Sequence, residues 1–331
     1  MREPAGLETP VMQRRGRAGA CSRRLLLAIL PAAALVLLLQ TVGQAAAISE
    51  AGSASPHRLK VEIEARTVAV TRAERTALGV KPSIVSTQLR CGPGEVALAA
   101  GAAVDTPGVS LLSSLPTGPR TYRLEIGNRN PASATARLSA LCARVTGAPQ
   151  LPVGTGTGAV TVPAAKVGDD GLVPGRTTVT ASCTGASVPV STGVDLGNDG
   201  ALTLTQSFPS GRRNLVLVVL NTALAPQPAF ATVRCVELPH GFGLTRLTVP
   251  VTVPAATGAG ASLQPRERQG AAKCPAGKAL VGGGYRAPEG GFGNAFPTLR
   301  GSPALGYLFR NVLPQPETAS VAIFCAPKVV R

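Results

Sequence analysis

Six cysteines fall into three pairs of near-constant spacing, and nothing else in this 331-residue chain so narrows what it can fold into. Cys91 and Cys142, Cys183 and Cys235, and Cys274 and Cys325 stand 51, 52 and 51 residues apart, while the first members of successive pairs lie 92 and 91 residues apart. A glycine falls ten residues after each first cysteine, at Gly101, Gly193 and Gly284, and an asparagine 14 residues before each second one, at Asn128, Asn221 and Asn311. Upstream, Val160-Thr-Val-Pro-Ala-Ala165 recurs as Val251-Thr-Val-Pro-Ala-Ala256, with Val68-Ala-Val-Thr-Arg-Ala73 in the matching place of the first unit. Self-similarity at a fixed period is the mark of a repeat. It predicts three tandem units and, because any cross-unit link would treat equivalent positions differently, one disulfide inside each. Residues 48–147, 148–239 and 240–331 are the expected domains.

Within each unit the apolar period is two. Tyr122, Leu124 and Ile126 alternate with polar residues before the asparagine, as do Leu215, Leu217 and Val219 and then Leu305, Tyr307 and Phe309. Leu138, Ala140 and Cys142 alternate after it, matched by Ala231, Val233 and Cys235 and by Val321, Ile323 and Cys325. These runs read as strands with one buried face, joined in a two-stranded hairpin whose turn the asparagine caps. A further strand follows each first cysteine and ends at the repeated glycine. Thr-Gly-Pro at 117–119, Gly-Asn-Asp-Gly at 197–200 and Pro-Glu-Gly-Gly at 288–291 punctuate the strands. No segment beyond the N-terminal region has a 3.6-residue period, so the expectation is an all-β chain of three small disulfide-bonded, β-sandwich-like domains. Antibody-type hallmarks are missing: there is no Trp, and Ala140, Val233 and Ile323 stand where a Tyr would precede the second cysteine.

The composition explains why such units need cross-links. Three Tyr, seven Phe and inward positions filled by Ala and Val leave each core little area to bury. Closing a loop of this length is worth about 4 kcal/mol in the chain-entropy model.

The N-terminal region reads as an address. Six arginines in residues 2–24 precede an apolar run from Leu25 to Leu39 and small residues at Ala45 and Ala47. This is the order of a secretory signal, residues 1–47, with cleavage before Ile48. An uncleaved membrane anchor is the competing reading, but the run is shorter than a span and Pro31 interrupts it. Ser-Arg-Arg-Leu-Leu-Leu fits twin-arginine export, and the leucine-rich run fits the general secretory route equally. Cys21 leaves with the signal. Cleavage removes six Arg and two Glu from the chain's 33 basic and 17 acidic side chains, leaving 27 against 15 and a net charge of +12. An even number of remaining cysteines in an exported chain implies disulfides, since none cluster at zinc-ligand spacing.

Cys274-Pro-Ala-Gly-Lys-Ala-Leu-Val-Gly-Gly-Gly, then Ser302-Pro303, Asn311 and Cys325-Ala resemble a cysteine-bounded β module of uncharacterised secreted actinobacterial proteins. The likeness covers about 55 residues of the third unit. The first two units match only at the cysteines, the glycine, Pro116, Pro209 and the asparagine. The resemblance implies an exported, disulfide-bonded β module and no chemistry.

Catalytic patterns are scarce. No Gly-x-Ser-x-Gly elbow is present, and the two histidines, His57 after the signal and His240 between units, read as solvated linker residues. Asp169-Asp170 sits in a turn sequence, and Asp195, Asn198 and Asp199 form a turn before they form a Ca²⁺ site. Gly154-Thr-Gly-Thr-Gly158 has the glycines of a phosphate loop but not its Lys-Ser/Thr ending, and reads as a linker. No cofactor or metal is expected. Export and the shortage of aromatics argue against nucleic acid despite the charge. Arg120 and Arg213 each stand eight residues before their unit's asparagine, with Arg123 and Arg212 nearby, as a candidate contact for an anionic cell-wall polymer. The expected function is therefore a secreted or cell-surface, non-enzymatic repeat protein with a structural or adhesive role. It would meet wall polymer or another surface protein, and membrane only through an uncleaved signal. The alternative is a secreted ligand-binding or inhibitory protein acting through one loop, such as the glycine-rich stretch 282–294.

Overall fold

Alternating apolar residues become strands with one buried face, and no helix forms among the described residues. The computed structural model describes residues 56–76, 79–104, 106, 108–147, 149–168, 171–197, 201–258, 264–287, 297–300 and 304–330. Residues 1–47, read above as a signal and including Cys21, together with Asp169 and Asp170, Asn198, Asp199, Gly200, the 288–296 stretch and Ser302-Pro303, lie outside them.

The first repeat contributes β1 (His57–Val70), β2 (Glu74–Thr76), β3 (Gly79–Lys81), β4 (Ser83–Arg90), β5 (Val96–Ala103), β6 (Val109–Gly118), β7 (Thr121–Asn128) and β8 (Ala134–Thr146). The second contributes β9 (Val153–Val162), β10 (Lys166–Gly168), β11 (Gly171–Val173), β12 (Gly175–Ser182), β13 (Val188–Asp195), β14 (Leu202–Ser210), β15 (Asn214–Asn221) and β16 (Gln227–Val236). The third contributes β17 (Thr245–Val253), β18 (Arg266–Lys273), β19 (Lys278–Arg286), β20 (Pro297–Arg300), β21 (Ala304–Asn311), β22 (Glu317–Pro327) and β23 (Val329–Val330).

Each repeat is a two-layered sandwich. In the first, β4-β7-β6 faces β1-β8-β5; the counterparts are β12-β15-β14 with β9-β16-β13, and β18-β21-β20 with β17-β22-β19. Disulfides Cys91–Cys142, Cys183–Cys235 and Cys274–Cys325 each tie one layer to the other, the first cysteine following β4, β12 or β18 and the second lying in β8, β16 or β22. The pairing is the one the repeat predicts.

The layers do not stop at the repeat boundaries. Strand β6 pairs with β13, with Val194 opposite Ser114, and β14 pairs with β19, with Tyr285 opposite Ser207. Two six-stranded sheets therefore run β4-β7-β6-β13-β16-β9 and β12-β15-β14-β19-β22-β17, each shared by two repeats. Strand β20 lies beside β5, which brings the third repeat back to the first. One apolar cluster accordingly draws Leu98 and Leu141, Val190 and Leu217, and Leu280 and Phe309 from all three repeats, while a second fills the first sandwich. Strand β23 pairs with His57 and Arg58 of β1.

Local sequence makes these joints possible. Strands β5, β13 and β19 each carry a bulge at the same repeat position, at Leu98, Val190 and Val281. A bulge bends a strand and raises its twist, here three residues before the repeated glycine. A Cβ on Gly193 would stand 2.5 Å from Ser114 O, and one on Gly284 would stand 2.0 Å from Ser207 O, so the glycine is where the next strand comes to rest.

Three expectations are corrected. The strands flanking the asparagine are not a hairpin: β7 and β8 belong to opposite layers, and the hairpins are β6–β7 and β14–β15. A period of two identifies a strand's buried face, not its partner, and two strands facing one core from opposite sides share that pattern. Gly154 to Gly158 is no linker but part of β9, where a Cβ on Gly156 would fall 2.1 Å from Ser182 O of β12; the glycines let the sandwich edges close. His57 opens β1 and is half-buried, whereas His240 is an exposed turn residue.

Candidate functional site

Polar groups that the strands bury are spent mainly on holding the repeats together. Asn128, Asn221 and Asn311 are fully buried. In each, Oδ1 accepts the amide two residues on, of Asn130, Ala223 or Leu313, at 2.8 Å. Nδ2 donates to the carbonyl four residues on, of Ala132, Ala225 or Gln315, and across to Thr71, Pro163 or Pro254, at 2.7 to 3.0 Å. The side chain thus shapes the crossing between layers and fastens it to the chain leaving β1, β9 or β17.

Where the three repeats meet, a cavity of about 30 Å³ is lined by Ser114, Ser191, Thr192, Ser207, Tyr285 and Tyr307 among apolar neighbours, with room for about two waters. Ser191 Oγ donates to Leu98 O at 2.6 Å and sits 2.9 Å from Tyr122 Oη, and Tyr285 Oη donates to Leu204 O at 2.9 Å. These bonds join the second repeat to the first and the third. Burial pushes the Tyr285 hydroxyl above the ordinary tyrosine range; Tyr307 is raised by burial and then by Tyr285 beside it.

Arginines close the outer side of both shared joints. Arg234, buried in β16, donates to Gly118 O at 2.7 Å and stands 5.3 Å from the Tyr122 ring centre. At the next joint Arg246 of β17 donates to Pro209 O at 3.1 Å. Its guanidinium lies 4.3 Å from the Phe208 ring centre, and that of Arg286 lies 4.7 Å from the same centre. Arg212 and Arg213 are exposed in the turn just after β14, the strand that carries Phe208. Two arginines of the third repeat thus meet on one ring of the second. Among the described residues, neither Arg246 nor Arg286 has a carboxylate at ion-pair distance.

The expected basic spot is therefore divided. Arg120 turns inward, its Nε and terminal nitrogen donating to Cys91 O at 3.2 and 2.6 Å, and Arg123 pairs with Glu125 at 3.6 Å. Only Arg212 and Arg213 stay exposed as expected. Arg246, Arg286 and Phe208 escape a reading of the sequence, because they belong to three strands that only the joint brings together; the outward period-2 position of Arg246 was the one visible sign. The glycine-rich stretch 282–294 is strand as far as Arg286, with Gly282 and Gly284 packed against Val190 and Ser207 of the second repeat. Cys91, Glu95 and Cys142 lie close together, but the sulfurs are bonded to each other and Glu95 accepts the Gly92 amide at 2.8 Å, so the group offers no thiolate to a metal. No protein-family model and no curated protein matches the chain.

Proposed function

We propose that the chain is an exported, non-enzymatic repeat protein of the cell surface or its surroundings, adhering to anionic wall polymer through a basic outer face. Three structural disulfides are consistent with an extracellular protein. The observation that carries the adhesive part is that Arg246 and Arg286 meet on Phe208 at one joint of a chain whose charge after loss of residues 1–47 is +12. Sheets shared between disulfide-pinned sandwiches make a stiff scaffold, and a stiff scaffold presents such a face with little ordering cost on binding.

The secreted chain should sediment with isolated cell walls, and the bound fraction should fall steeply as salt rises from roughly 0.05 to 0.5 M, because exposed charges are screened over that range. Walls stripped of anionic polymer should retain little. Salt-insensitive binding that saturates at one small ligand per chain would favour a ligand-binding protein instead.

A further inference from the structure

We infer that Arg246, Arg286 and Phe208 form a specific oxyanion-binding site at the joint of the second and third repeats, taking the phosphate or carboxylate groups of an anionic polymer. The inference rests on the adhesive reading and narrows it from a basic face to a built site.

Geometry carries the assignment. Two guanidinium carbons lie within 5 Å of one ring centre, and Arg246 is also held by Pro209 O. Their planar forks are therefore oriented before any ligand arrives, which suits paired N–H donation to an oxyanion. Held against one ring with no carboxylate at ion-pair distance among the described residues, the two cations repel each other. Arg246 responds: partial burial and then the charge of Arg286 hold its guanidinium below the ordinary arginine range. An anion between or beside the forks would relieve both costs.

The other joint supplies a contrast. By register, Asp195 occupies there the place of Arg286, since Asp195 faces Ser113 as Arg286 faces Gln206. Thr155 occupies the place of Arg246, since Thr155 faces Arg234 as Arg246 faces Phe324. Neither position carries a cation there; that joint is spanned instead by the single buried Arg234, bonded to Gly118 O. Among the described residues this pair of arginines belongs to one joint, and Arg212 and Arg213 stand in the turn after the strand that carries Phe208.

Fluorescence anisotropy with labelled polyglycerol phosphate and, separately, labelled polygalacturonate tests the site on the secreted chain. R246Q/R286Q should weaken binding of whichever polymer is bound by about tenfold, the loss of one or two charge-assisted bonds. R66Q/R137Q, which removes the same charge from exposed positions on the first repeat, should change it little. R286E keeps the Pro209 bond and should also weaken binding, so the test survives if the double variant unfolds. Preference for one polymer identifies phosphate or carboxylate as the group held. Equal losses in both double variants, or no binding of either polymer by the unaltered chain, would overturn the site. Polymer binding that needs Arg246 and Arg286 without retention on walls would keep the site and reject the adhesive role.

Discussion

Asn221 shows how much one side chain does in this fold. It is buried, and its side chain accepts the Ala223 amide and donates to carbonyls of segments 58 residues and four residues away. Asn221→Ala leaves those carbonyls and the Ala223 amide without partners, and should lower unfolding free energy by about 3 kcal/mol in denaturant titration. That such an asparagine is structural was legible from its recurrence and its aptitude for turns. Its second bond, to the strand that opens the repeat, was not legible, because nothing local specifies a partner so distant in sequence. Tyr285 and Tyr307 give a pH prediction. Their folded pKa values lie above the unfolded value of about 10, so the stability they confer is complete below that pH and is lost as pH rises past it, where the unfolded chain releases the protons first. Their tyrosinate absorbance should appear together with loss of the β circular dichroism signal; tyrosinate from both in a chain that keeps its fold would contradict their burial.

At the scale of elements, strand positions were largely legible and strand partners were not. The alternation of Leu138, Ala140 and Cys142 marks β8 correctly, yet suggests β7 as its neighbour when β1 and β5 are. The repeated glycine was visible as punctuation, but its use as the seat of a neighbouring strand depends on a backbone approach that no pattern of apolar residues encodes. Gly284→Ala would drive a Cβ into Ser207 O, which cannot move without breaking the β14–β19 pairing. It should cost about 3 kcal/mol by the usual cost of overpacking, and amide exchange should quicken in β14 and β19 before it does in β4. The disulfides act on elements too. Cys274→Ala with Cys325→Ala should cost about 4 kcal/mol, the entropy of the freed loop, while leaving the other two bonds in place by non-reducing peptide mapping.

Over the whole molecule, the number of repeats and the three internal disulfides were plain from cysteine spacing, whereas the fusion of the repeats was hidden. The strand ladder at each shared joint is short: Val194–Ser114 and Asp195–Ser113 face each other in one, Tyr285–Ser207 and Arg286–Gln206 in the other, with one further backbone bond each, Leu196 N–H to Leu112 O and Ala287 N–H to Thr205 O. So short a register leaves no periodic trace, and the candidate site went unseen because it exists only where two repeats meet. The fusion has a thermodynamic consequence. Repeats that share sheets and an apolar cluster cannot unfold without exposing their neighbours' edges, so the chain should behave as one cooperative unit. Differential scanning calorimetry of the chain with its disulfides intact measures this directly. The result expected is one transition whose van't Hoff enthalpy equals the calorimetric enthalpy; separate transitions, or a van't Hoff enthalpy near one third of the calorimetric value, would show three independent domains and contradict the shared sheets.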